Sequence, residues 1–125
     1  MKKLVFAVIA LGFSVGANAA CDTKSLKGDF YYGVTGLDNG MSCANVGVVN
    51  FDGKGNVKSH SVSGCGKEVQ EGDLTAIYQL NSSCLGSITT NLGFTYHFVT
   101  NKAVTVGNIF ISQSGAIGYG TMQKQ

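Results

Sequence analysis

Short runs rich in valine, isoleucine, threonine, tyrosine and phenylalanine alternate with turn-forming residues along most of this chain. The sequence contains no proline and shows no sustained apolar spacing of three and four, which would predict helices. We therefore expect an all-β protein. The pattern predicts eight strands, over about residues 26–35, 43–51, 56–63, 67–80, 84–91, 93–100, 102–111 and 115–122.

The connections between the predicted strands are too short for crossover helices, so sequential strands should pair in antiparallel order. Asp38-Asn39-Gly40 and the segment 52–56 carry residue types that tolerate positive φ in tight turns. An even number of strands lets the first strand pair with the last, which removes both exposed sheet edges. We predict an eight-stranded antiparallel up-and-down barrel, with a two-sheet β-sandwich as the alternative.

The first nineteen residues have the three parts of an export signal. Lys2 and Lys3 are followed by an uncharged, mostly apolar run over 4–15 and by the small-x-small pattern of residues 17–19. We predict a cleaved signal peptide over 1–19 and a single domain over 20–125, located in the periplasm or secreted.

The processed domain is expected to carry neither a membrane segment nor a lipid anchor. No apolar stretch after residue 19 is long enough to span a bilayer as a helix. Cys21 follows the cleavage region, but Asn18 stands where lipoprotein signals usually carry leucine. We therefore expect Cys21 to form a disulfide and not to be lipidated.

The four cysteines can be paired from the predicted up-and-down order of the strands. Cys21 precedes the first strand and Cys84 begins the fifth, which places both at one end of the barrel. Cys43 begins the second strand and Cys65 follows the third, which places both at the other end. We predict the disulfides Cys21–Cys84 and Cys43–Cys65.

No metal or cofactor is expected. The cysteines are separated by 22, 22 and 19 positions, whereas zinc sites usually contain closely spaced pairs. The segment 52–56 has a faint likeness to a calcium loop, but it lacks the further acidic positions and the distant glutamate. We interpret it as a hairpin turn.

The charge balance excludes nucleic acid as a partner. Without residues 1–19 the chain has seven lysines, seven acidic residues and no arginine. Affinity for phosphates depends on clustered cations, which this composition does not supply.

We find no catalytic motif and predict that the protein is not an enzyme. Ser59-His60-Ser61 places a histidine beside two possible nucleophiles, but neighbours on a strand point to opposite faces. His97 is the second histidine, and no Gly-x-Ser-x-Gly elbow is present. Both histidines are interpreted as polar surface residues.

Aromatic side chains are the strongest candidates for a ligand site. Alternation predicts that several of them point into the barrel, and in the seventh strand it groups Val104, Val106 and Asn108 with the aromatic residue at position 110. Such rings can line a pocket in the barrel mouth or simply form its core. The candidate ligand-binding residues are Phe30, Tyr32, Tyr78, Phe94, Tyr96, Phe98 and Phe110.

Three segments carry a resemblance to a known family: Leu26-x-Gly28-x-Phe30-x-Tyr32, the run 47–57 with its Phe-Asp-Gly-x-Gly-Asn, and the run 78–86 with its Tyr-x-Leu-Asn-x-x-Cys-x-Gly. With these segments and its last six residues, the chain resembles a family of small, exported and uncharacterised bacterial β-barrel domains. That family is regarded as calycin-like, similar to lipocalin and avidin barrels. The resemblance implies a barrel and, through it, a small-molecule cavity. The chain has no Gly-x-Trp near its start and no tryptophan at all, so no ligand is carried over.

Two functions follow as expectations. The first is an exported binding protein for a small apolar or aromatic molecule, which requires a lined cavity of several hundred cubic ångströms. The alternative is a secreted interaction or structural module, directed at a host or inhibiting another secreted protein. Its outer face, with Tyr31, Tyr119 and the segment 38–42, would then bind a partner protein, and the interior would be filled.

Overall fold

A computed structural model describes residues 21–125 and shows eight strands that form one closed antiparallel barrel. The predicted signal peptide over 1–19 lies outside the described residues. A short 3₁₀ helix, Thr23–Ser25, precedes the strands. The strands are β1 (Lys27–Asp38), β2 (Met41–Asp52), β3 (Asn56–Cys65), β4 (Glu68–Leu80), β5 (Leu85–Thr90), β6 (Thr95–Thr100), β7 (Val106–Gln113) and β8 (Ala116–Lys124).

The predicted barrel is confirmed, and the sandwich alternative is wrong. Each strand pairs with its neighbour in the chain, and β1 also pairs with β8, from Phe30 opposite Lys124 to Asp38 opposite Ala116. This pairing leaves neither terminal strand with an exposed edge.

The two ends of the barrel differ in how they are covered. The 3₁₀ helix and the turns after β2, β4 and β6 lie at one end, which we call the closed end. The turns after β1, β3, β5 and β7 lie at the opposite end, which we call the open end. The up-and-down order of the strands alone produces this division.

Aromatic and aliphatic side chains fill the closed half of the barrel. The rings of Phe30 and Phe51 meet edge to face with centroids 5.4 Å apart, and those of Phe51 and Tyr78 do so at 5.0 Å. Leu26 and Phe98 are buried beside them. Burial of each such side chain contributes about 1.5–3 kcal/mol, so this cluster is the main apolar core.

Both predicted disulfides are confirmed. Cys43 lies directly opposite Cys65 in the β2–β3 ladder, with Cα atoms 4.2 Å apart, at the open end. Cys21 and Cys84 join the N-terminal segment to the β4–β5 turn at the closed end, with Cα atoms 5.1 Å apart. These bonds indicate an oxidising, extracytoplasmic environment. The described part of the chain contains no helix with the length and apolarity to cross a membrane.

The predicted alternation in β7 is wrong by one position. Val104 is buried, but Val106 and Phe110 face outward, and Ile109 and Ile111 face inward. Val104 has a φ of 54° in the turn before the strand, so the turn continues past the predicted strand start and shifts the phase. A shift of one residue moves every side chain of a strand to the other face.

Candidate functional site

The interior of the barrel is open toward one end. A cavity of about 60 Å³ lies above the packed aromatic cluster, and a wider mouth of about 390 Å³ lies at the open end. The two spaces share wall residues from five strands, so the mouth adjoins the cavity. The shared residues are Val34, Asn45, Leu74, Thr90 and Tyr96.

The wall of the cavity is mainly apolar. Its aliphatic side chains come from strands around the whole barrel, because the inward positions of each strand share one face. The lining residues besides the five shared ones are Tyr32, Val49, Val57, Ser59, Ala76, Ile88, Ile109 and Met122.

Three polar side chains meet in this apolar wall. The hydroxyl of Tyr32 on β1 donates to Oδ1 of Asn45 on β2 over 3.1 Å. Tyr96 on β6 lies beside both residues. Burial raises the pKa of the Tyr96 hydroxyl, and the nearness of Tyr32 raises it further. A hydrogen bond with the Asn45 side chain partly offsets this rise. Tyr96 therefore keeps its proton near neutral pH and presents a neutral hydroxyl to the pocket.

Charged groups are scarce around this pocket. Within residues 21–125, no side chain that lines the cavity is charged, and Asp38 is the only charged residue that lines the mouth. The Cys43–Cys65 disulfide forms part of the mouth wall. The arrangement can bury an uncharged molecule and satisfy one or a few of its polar atoms.

The structure divides the seven predicted ligand-binding aromatics into three groups. Tyr32 and Tyr96 line the cavity, and Phe94 lies at the mouth. The next three, Phe30, Tyr78 and Phe98, point inward but are packed in the closed half. Phe110 lies on the outer face and is 46% exposed, so its expected inward position is wrong.

Asn45 is the residue of this site that sequence reasoning missed. It shares its strand face with Cys43, Val49 and Phe51, so alternation alone places it inside the barrel. Its residue type gives no signal of a ligand site, because asparagine is a common surface residue.

His60 and its serine neighbours do not form a nucleophile and base pair. His60 is exposed on the outer face, where its Nδ1 lies 2.8 Å from Asp73 Oδ1 and its Nε2 lies 2.9 Å from Glu71 Oε1. Ser59 faces the cavity on the opposite side of the strand. The hydrogen bond with Asp73, followed by that with Glu71, raises the pKa of His60 above its ordinary value.

The described residues contain one cluster with metal-ligating atom types, formed by Asp38, Cys43 and Cys65. Its two sulfur atoms are joined in a disulfide and are not thiolates, the form that binds metals. In the segment 52–56, the Asp52 carboxylate accepts hydrogen bonds from the backbone N–H groups of Lys54 and Asn56. These contacts identify it as the cap of a turn.

Comparisons of the chain with protein-family models, with curated proteins and with solved structures gave no match. The resemblance to small exported bacterial domains therefore stays a prediction.

Proposed function

We propose that this protein is an exported binding protein that holds a small apolar or aromatic molecule at the open end of its barrel. The observation that carries the proposal is an apolar cavity that shares five wall residues with the mouth, together with three converging polar side chains. Concave, mainly apolar spaces with a few placed polar groups are typical of small-molecule sites.

The two volumes indicate how such a molecule would lie. The mouth, at about 390 Å³, falls in the range of about 300–1,000 Å³ that is usual for ligand pockets. The inner cavity, at about 60 Å³, equals about two water molecules at 30 Å³ each in the liquid. The body of the ligand would therefore occupy the mouth, and only its tip would enter the barrel.

The place of action would be the periplasm or the outside of the cell. Two disulfides in a domain of this size support export, because such bonds persist in oxidising compartments. The signal pattern over 1–19 supports the same location.

A fluorescent apolar probe tests the proposal. N-phenylnaphthylamine should bind the processed protein saturably, with an emission increase. The Ala76→Phe variant fills the cavity and should weaken binding, because Ala76 lines the cavity that the tip of the ligand enters. The Ile77→Phe variant is the matched control, since Ile77 is on the same strand and 62% exposed on the outer face.

Circular dichroism must show that both variants are folded. Absence of saturable binding by the unmodified protein would refute the proposal. Equal binding by folded Ala76→Phe would refute the entry of the ligand into the cavity, because the probe would then lie in the mouth alone or elsewhere.

The outer face supports a second candidate, a secreted interaction module. Phe110 and Tyr119 are direct cross-strand partners on β7 and β8, and they are 46% and 74% exposed. Leu37 and Ile117, also direct partners, extend this exposed apolar surface onto β1 and up to the rim of the mouth, which both residues also line. Such surfaces are typical of protein contacts.

Cross-linking in the native extract tests this candidate. Cross-links should connect the outer face to one partner protein. They should disappear in the double variant Phe110→Ser with Tyr119→Ser, and they should persist in the Ala76→Phe variant. Persistence of the cross-links in the outer-face variant would refute the interaction module.

A further inference from the structure

We propose that the open end selects uncharged ligands that carry a hydrogen-bonding group, such as a hydroxyl, carbonyl or amide, and rejects anionic amphiphiles. This inference rests on the proposed binding function and specifies its ligand class. Three observations carry it: the charges around the mouth, the polar cluster in its wall and the depth at which that cluster lies.

The charges around the pocket disfavour an anion. Within residues 21–125, the thirteen residues that line the cavity include no lysine, histidine or acidic residue. Asp38, the one charged residue at the mouth wall within 21–125, would repel a carboxylate. Burial of an anion without a paired cation costs free energy, which no pocket-lining group in the described part of the chain offsets.

Lysines elsewhere on the barrel do not change this balance. Lys67, in the turn between β3 and β4, lies at the open end but is not among the residues that line the mouth. Glu68, the next residue, places an opposite charge beside it. The other lysines near strand ends, Lys27, Lys54, Lys102 and Lys124, belong to the closed end.

The polar cluster provides neutral partners for a neutral head group. Tyr32 and Tyr96 supply hydroxyls, and Asn45 supplies an amide whose Oδ1 already accepts from Tyr32. The amide nitrogen of an asparagine carries two further donors. A ligand hydroxyl or carbonyl can bond to these groups without any charge entering the pocket.

The cluster lies where the mouth meets the cavity. Asn45 and Tyr96 line both spaces and are partly buried, so a head group in contact with them lies between the mouth and the cavity and loses part of its contact with water. At such a position an unmatched charge is costly, whereas on an open rim it would remain hydrated. An anionic head group at this position would lose part of its hydration without gaining a cationic partner.

Matched ligand pairs test this inference. The first pair is N-phenylnaphthylamine and anilinonaphthalenesulfonate, which share a ring system and differ by a sulfonate. The second is octanol and octanoate, whose affinities are measured by displacement of N-phenylnaphthylamine. The measurement is made near pH 7, at which the carboxylic acid is ionised. We expect the neutral member of each pair to bind about tenfold or more tightly, which corresponds to about 1.4 kcal/mol.

The outcomes separate the two proposals. Equal affinity of the neutral and anionic members overturns the inference and leaves the binding function standing. Failure of N-phenylnaphthylamine and octanol to bind overturns the binding function itself.

A cation added to the mouth should reverse the selection. Gln70 lines the mouth, so Gln70→Lys should strengthen octanoate binding about threefold or more, as expected for a partly exposed ion pair. Gln79→Lys is the matched control, because Gln79 belongs to the same strand but is not among the mouth residues. Unchanged octanoate affinity in a folded Gln70→Lys variant would contradict the role of charge.

Removal of the amide tests the polar cluster. Asn45→Leu should weaken octanol binding about three- to tenfold, the effect of one lost hydrogen bond, and should affect N-phenylnaphthylamine less. Asn108→Leu, an exposed position on β7, is the control. Equal octanol affinity in Asn45→Leu and in the unmodified protein would show that Asn45 does not recognise the head group.

Discussion

The hydroxyl of Tyr78 donates a hydrogen bond of 2.7 Å to the carbonyl oxygen of Leu26, across 52 positions of the chain. The carbonyl oxygen of Thr23 is 3.0 Å from the same hydroxyl, and the Thr23 side chain accepts from the backbone of Leu80. Burial raises the pKa of Tyr78, so this donor keeps its proton. Together with the Cys21–Cys84 disulfide, these contacts hold the N-terminal segment across the closed end.

The Tyr78→Phe variant should lose about 1–2 kcal/mol of unfolding free energy, because a buried carbonyl loses its donor while the ring remains packed. Urea unfolding followed by circular dichroism measures this loss. Tyr119→Phe is the control and should be neutral, since Tyr119 is 74% exposed. Equal stability of the two variants would show that the Tyr78 hydrogen bond has no net effect.

The two disulfides should contribute unequally to stability. The Cys21–Cys84 bond spans 63 positions and the Cys43–Cys65 bond spans 22. On the chain-entropy model these loops correspond to about 4 and about 3 kcal/mol, respectively. Two double variants, Cys21→Ala with Cys84→Ala and Cys43→Ala with Cys65→Ala, each remove one disulfide. Urea unfolding should show the larger loss of unfolding free energy for the first double variant. The opposite order would contradict this prediction.

The Phe98 ring packs against a glycine of the neighbouring strand. A Cβ at Gly86 would lie 2.7 Å from Phe98 Cε1 and 2.6 Å from the carbonyl oxygen of Gln79. Gly86→Ala should therefore cost about 1–3 kcal/mol through overpacking. Gly72→Ala, where a Cβ would meet nothing within 4 Å, should change stability by about 0.5 kcal/mol or less. Thermal unfolding distinguishes the two, and a neutral Gly86→Ala would refute the argument.

The cluster of His60, Asp73 and Glu71 predicts a pH dependence. Hydrogen bonds from the histidine ring to Asp73 and then Glu71 raise its pKa above the ordinary 6.5. A group whose folded-state pKa is raised stabilises the fold fully below its unfolded-state pKa, and this stabilisation is lost as the pH rises through the folded-state pKa. We therefore expect the stability advantage of the unmodified protein over His60→Gln to decline above about pH 6.5.

NMR titration of the His60 ring measures the shift directly. The Asp73→Asn, Glu71→Gln variant should return the pKa of His60 toward its ordinary value, since both raising groups are then neutral. An unaltered His60 titration in that variant would show that the two carboxylates do not cause the shift.

Much of the fold follows from local patterns. The predicted strand over 56–63 appears as β3, and the one over 67–80 appears as β4, because turn residues bound each run and alternation continues through it. Tyr32 and Tyr96 of the site were also predicted, because regular alternation places both side chains inside the barrel. Phe110 was assigned to the wrong face, because the turn around Val104 changes the phase through a backbone angle that composition does not reveal.

By itself, the sequence determined an all-β chain of eight antiparallel strands and the pairing of its cysteines, since side-chain alternation and turn chemistry act over a few residues. The tertiary structure decided between the predicted barrel and the alternative sandwich by pairing β1 with β8. It also decided that Phe30, Phe51 and Tyr78 fill one half of the interior, while Tyr32, Asn45 and Tyr96 surround an open space in the other. The physical reason is that filling depends on which rings reach the same height along the barrel axis. That height is set by the register of strands far apart in the chain, which no local pattern encodes.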